Sequence, residues 1–169
     1  AIATAQQFNA ILSTVCDRTY HRSPVLWNEL INRRVLTSQG AKARRLLIEA
    51  MLEQSDQERL GLEGYGPEVS MYYSVLAESQ IHRCETSLKN SQWGFYPPPA
   101  QPSHESDLSL VWDAIDQFCQ AATTQPQSIF NLYQILESPP YGMKQGAIPI
   151  VLAAYLLHHV DDVSVYKDS

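Results

Sequence analysis

The stretch HHVDD, residues 158–162, brings His158, His159, Asp161 and Asp162 within five positions of one another. Imidazole and carboxylate together suit a hard or borderline cation, so this cluster is where a metal-dependent hydrolase would be sought. A simpler reading competes with it. Histidines at a helix C-terminus interact well with the macrodipole, and paired aspartates make a polar turn. On that reading no metal is expected. His82 and Cys84 alternate as in a strand and could supply two zinc ligands, but no second pair has matching spacing. Asp113 and Asp116 share a helix face, as paired acid/base carboxylates do. A solvated face is again the simpler account.

Arg33, Arg34, Lys42, Arg44 and Arg45 are the set singled out for binding. Guanidinium forks match phosphate and carboxylate, so DNA, phosphate or a partner subunit is the contact they suggest. The alternative is a solvated face with salt bridges to acidic parts of the chain. Nucleotide motifs are missing: there is no GxxxxGK[ST] and no GxGxxG. GLEGYG, 61–66, lacks both the lysine and a preceding strand, and no GxSxG elbow occurs. The expectation is therefore a chain without catalysis or cofactor of its own.

The bulk numbers limit the class. The chain has 169 residues, 44% of them hydrophobic, enough for one compact domain or two small ones. Charged residues are 18%, too few for a disordered acidic tail. A net charge of −6 argues against nucleic-acid binding over the whole surface. Residues 1–54 nevertheless carry +3 and the remainder −9. Cys16, Cys84 and Cys119 are odd in number and widely spaced, so a reducing, cytoplasmic setting is expected. No secretory leader is readable, and the chain reads as a piece of a longer protein.

Helical spacing predicts most of the elements. Residues 5–20 set Phe8, Ile11, Leu12, Val15 and Cys16 on one stripe, expected to be buried. Ser23 and Pro24 look like the cap and first residue of a helix over 23–32. Thr37 and Ser38 open another to 54, with Ala43, Leu46, Leu47, Ala50 and Met51 on one inward side. Pro67 starts a helix over 67–79. Residues 80–106 carry QWGFY, a short strand, and PPPAQP, a polyproline-like linker. Helices are expected over 107–122, with Asp107 as cap, and over 125–138. Ala147–Leu157 is apolar and uncharged. It is too short for a bilayer, which needs about 20 residues, and too apolar to read DNA. It is expected to be the central core helix. VSVYK, 163–167, alternates like a strand.

The architecture expected is mainly α. It comprises a helical subdomain over 1–90, a Pro-rich linker over 91–106 and a winged-helix-like subdomain with a short strand over 107–169.

Two segments carry a family resemblance. Residues 16–52 contain Pro24 followed by NELINRR (Asn28–Arg34) and then an ARRLLIEAM helix (Ala43–Met51). Residues 132–168 contain PPYGMKQGAIPIVLAA (Pro139–Ala154). Both resemble a region outside the nucleotide-binding core of very large P-loop ATPases in bacterial phage-defence systems of the BREX type and their relatives. LEGYGPEVSMYYSVL fits a linking segment of that region. The resemblance implies that ATP and Mg belong to an upstream part of the parent protein. It also implies that the strand at 163–167 continues into a turn and a partner strand. The expected role is an accessory module that couples the parent ATPase to DNA or to other defence subunits, with no membrane contact. A purely structural helical domain is the alternative, and a metal-dependent hydrolase at 158–162 a lesser one.

Overall fold

The computed structural model describes residues 4–87, 90–101 and 104–166. It is mainly α: α1 (Ala5–Thr19), α2 (Ser38–Glu53), α3 (Pro67–Met71), α4 (Ser109–Ala122), α5 (Ile129–Glu137) and α6 (Ile148–His158). A hairpin of β1 (His82–Thr86) and β2 (Ser91–Phe95) is interposed between α3 and α4.

α6 is the central element. Its sequence is apolar on every side, and Ile148, Ile150, Val151, Ala154 and Tyr155 are buried. Pro149 lies in the first turn, where no amide is needed. α2, α4 and β2 all pack on it. α2 starts where the sequence indicates, because the Thr37 hydroxyl accepts from the Gly40 amide at 3.1 Å. Its buried face is Ala43, Leu47, Ala50 and Met51; Leu46, expected on the same side, is exposed. α3 begins at Pro67 and continues directly into a π-helical turn over Tyr72–Ala77, where the Glu78 amide reaches the Tyr73 carbonyl. Before it, Arg59, Leu60 and Gly61 take left-handed φ of 55°, 55° and 64°. The buried Leu60 side chain and the Arg59 guanidinium over the Tyr73 ring hold that costly turn.

The hairpin is antiparallel and pairs His82 with Phe95 and Cys84 with Trp93. QWGFY is thus a strand, and so is the stretch holding His82 and Cys84. The boundary expected at residue 91 falls inside this hairpin. One hydrophobic cluster contains side chains from α2, the π-turn, α4, α5 and α6, so the two stretches expected as separate subdomains contribute to a shared core.

Several expectations are corrected. α1 forms as expected, but its stripe is not buried: none of its residues is. Residues 23–32 are not helical. Asn28 explains this. It is 7% exposed; its Oδ1 accepts from the Leu30 amide at 3.0 Å, and its Nδ2 donates to Ser70 and Ser74 Oγ at 3.1 Å each. Asn32 Nδ2 donates to the Leu26 carbonyl, and the Val25 amide to the Glu105 carbonyl. These side-chain and long-range bonds outcompete a local helix. α5 starts at Ile129, capped by Ser128, four residues later than expected. Asp107 stands one residue before the α4 cap; it accepts from the Ser109 and Gln101 amides and ties the linker to α4. Residues 163–166 form no strand, and the one sheet among the described residues is the β1–β2 hairpin; Lys167 is outside the described residues. No helix among the described residues is long and apolar enough to cross a membrane.

Candidate functional site

The candidate site is an open cleft of about 980 Å³. Three segments form it: the C-terminal end of α1, the irregular run 23–34, and the turn between α5 and α6. The buried side chains of Leu26 and Met143 give it an apolar floor. Asp17, Arg34, Glu137 and Lys144 line it. None of these four enters an ion pair among the described residues.

Local structure sets the cleft's shape. The Arg22 amide donates to the Pro140 carbonyl at 3.2 Å. The Tyr20 ring closes on Gly142, which has φ +60°, a conformation that favours glycine. The Met143 amide donates to the Leu136 carbonyl at 2.8 Å, folding the turn back onto α5. The Nη1 of Arg44 reaches from α2 to the carbonyls of Gln145 and Gly146, at 3.3 and 3.4 Å, and fixes the far wall.

The basic set expected from sequence is therefore distributed over different tasks. Arg34 lines the cleft. Arg44 is half-buried and bound to backbone carbonyls. Arg33 is exposed, and its Nε donates to the Glu29 carbonyl at 3.3 Å. Arg45 is exposed and faces Glu49 at 3.6 Å, a pair worth only a few tenths of a kcal/mol. Lys42 is exposed on α2. Sequence reasoning missed Asp17, Glu137 and Lys144. Their signal was weak: isolated charges at the ends of predicted helices, made neighbours only by the chain's return from α5 to α6.

The other chemical candidates are occupied by structural work. His158 Nδ1 donates to the Phe95 carbonyl at 2.7 Å and joins α6 to β2. His159 packs on the Tyr155 ring, with centroids 4.4 Å apart, and its Nδ1 is 3.7 Å from Asp162. Asp161 and Asp162 are exposed. Among the described residues no three His, Cys, Asp or Glu side chains converge as a cation site. Asp116 accepts from the Tyr155 hydroxyl at 2.8 Å; burial first, and then this carboxylate, push that hydroxyl's pKa far up. Asp113 is exposed. His82 is buried between Ser55 and Tyr72, and burial lowers its pKa.

A cleft with both charge signs above an apolar floor suits a mixed, peptide-like surface. A polyanion would meet Asp17 and Glu137 as well as the cations. No family model, curated protein or solved structure matches the chain.

Proposed function

We propose that this chain is a non-catalytic coupling module of a large P-loop ATPase of the phage-defence type, acting in the cytoplasm. It would contact other parts of that ATPase, other defence subunits or DNA, while ATP and Mg are handled elsewhere in the parent protein. The single observation that carries a binding role is the cleft: four charged side chains around an apolar floor, none of them ion-paired within the described structure. Ion-pairing groups left open beside apolar surface are what a partner's segment would complete. The BREX-type identity of the parent rests on the two segment resemblances, 16–52 and 132–168. A winged-helix-like role for residues 107–169 would need a wing from outside the described residues, because 163–166 is not a strand.

The test uses the full-length parent protein. Charge reversal at Arg34 and Lys144, both to Glu, should weaken its association with companion subunits at least tenfold while leaving basal nucleotide turnover unchanged. Undiminished association, with the variant folded, would remove the cleft from the binding surface. Separate reversal of Arg33 and Lys42 reports on DNA, through a shallower dependence of DNA affinity on salt.

A further inference from the structure

The turn at Arg59, Leu60 and Gly61 is costly in itself and is held by groups outside it. Arg59 and Leu60 both have φ 55°, in the left-handed region that side-chain-bearing residues rarely adopt. Arg59 Nε is buried and has no hydrogen-bond partner among the described residues. Three contacts oppose these costs. The Leu60 side chain is buried in the core. The Arg59 guanidinium lies over the Tyr73 ring, 5.5 Å from its centroid, and Nη2 donates to the Gly64 carbonyl at 3.2 Å. The Arg59 backbone N–H donates to the Tyr72 hydroxyl oxygen.

That hydroxyl is the middle of a buried relay. It donates to His82 Nδ1 at 3.0 Å, and His82 Nε2 donates to the Ser55 carbonyl at 2.9 Å. Only the neutral ring fits, because Nδ1 must accept. Tyr72 and His82 are each 2% exposed, so solvent offers the hydroxyl no substitute acceptor. The groups around the ring offer it no compensating charge. The π-turn presents Tyr72, the segment after α2 presents the Ser55 carbonyl, and β2 presents Trp93 and Phe95, with ring centroids 5.2 and 5.0 Å away. Along β1, Arg83 and Glu85 pair with each other. Glu58 and Arg59 act on Tyr72 with opposite effects, and His158 of α6 donates to the Phe95 carbonyl.

We propose that His82 is a proton-operated latch: a proton on its Nδ1 takes away the acceptor of the Tyr72 hydroxyl and releases the turn at Arg59–Gly61, while α2, α4 and α6 stay folded. With Nδ1 protonated, two N–H groups, from His82 and Arg59, meet at one buried hydroxyl whose own hydrogen has lost its partner. Opening the turn relieves that conflict together with the left-handed strain, and it uncovers Leu60. The bistable element is thus the turn, and the charge that biases it arrives on the hairpin. This inference goes beyond the coupling role and does not depend on it.

Amide hydrogen exchange of this chain tests the latch. The Leu60 and Leu62 amides donate within the turn, to the Gln57 and Arg59 carbonyls at 3.0 Å each, and the Val151 and Ala154 amides report on α6. Expressed as protection factors, the turn amides should be less protected than the α6 amides at every pH. Their protection should also fall about tenfold or more between pH 7.5 and 5, because the opened state takes up the proton first. His82→Gln should make the turn's protection independent of pH. Tyr72→Phe should lower it already at pH 7.5 and flatten it too, because the relay is cut between His82 and Arg59. Protected α6 amides in each variant show that the core is still folded. Turn amides in the wild-type chain that match α6, or that are less protected but unchanged with pH, would overturn the latch. A folded Tyr72→Phe chain whose turn keeps the wild-type pH dependence would do the same.

Discussion

Gly146 lies directly against the backbone of Ile31: a Cβ at position 146 would overlap the Ile31 carbonyl oxygen and come within 2.9 Å of its Cα. Neither atom can swing aside as a side chain would. The irregular run 23–34 and the approach to α6 therefore meet backbone to backbone, and this contact seats the cleft wall. Gly146→Ala should cost about 1–3 kcal/mol of folding free energy. Urea denaturation checks this, with Gly64→Ala as the comparison. At Gly64 nothing lies within 4 Å of the added Cβ, and the strain of φ +74° alone should cost about 1 kcal/mol.

His82 should make the fold acid-sensitive. Its Nε2 donates to the Ser55 carbonyl at 2.9 Å, so in the neutral ring Nδ1 must accept, and the Tyr72 hydroxyl donates to it at 3.0 Å. Burial lowers the pKa of His82 below its ordinary 6.5. The unfolded chain then takes up the proton first. The contribution is complete above pH 6.5 and declines as pH falls from there toward the folded-state value. Denaturation midpoints between pH 7.5 and 5 should fall, and His82→Gln should flatten the slope.

The alkaline limb has the opposite sign. Burial pushes the Tyr72 hydroxyl up to about 12 from 10.0, and burial also raises Tyr155. The unfolded chain loses these protons first, so stability is complete below pH 10 and declines as pH rises through the folded-state values. Tyr155→Phe should remove part of that decline. It should also cost about 1–2 kcal/mol at neutral pH, because the Asp116 carboxylate loses its buried donor. Thermal melts between pH 8 and 11 read both effects.

Arg44 and Arg45 are neighbours in sequence but not in consequence. Arg44 donates to two backbone carbonyls at the start of α6, so Arg44→Ala should cost about 1–2 kcal/mol. Arg45 has only an exposed partner, and Arg45→Ala should stay within about 0.5 kcal/mol. Equal losses in chemical denaturation would contradict this assignment.

Core and arm should respond just as unequally. Leu152→Asp would place an unpaired charge in the central helix and should unfold the chain, at a cost of several kcal/mol, about 3 or more. Removing residues 1–19 deletes α1 and should shift the melting temperature by less than about 4 °C, since α1 contributes no buried residue. Calorimetry of the two variants compares them directly.

Local chemistry was enough to mark much of this protein. The Thr37 cap, Pro67, the uncharged run at 147–157 and the QWGFY strand each act within a few residues, and each appears where the sequence places it. The helix expected over 23–32 fails for a reason no local signal carries. Asn28 finds its partners in Ser70 and Ser74, 42 and 46 residues away. α1 shows the complementary case. Periodicity determines that Phe8, Ile11, Leu12 and Val15 share a face, because 3.6 residues per turn follow from the backbone alone. Whether anything covers that face depends on where the other helices go. The cleft is the same kind of decision. Asp17, Arg34, Glu137 and Lys144 are scattered single charges in sequence, and they line one cleft only because the chain turns at 138–146 and meets Ile31 and Tyr20 on its return to α6.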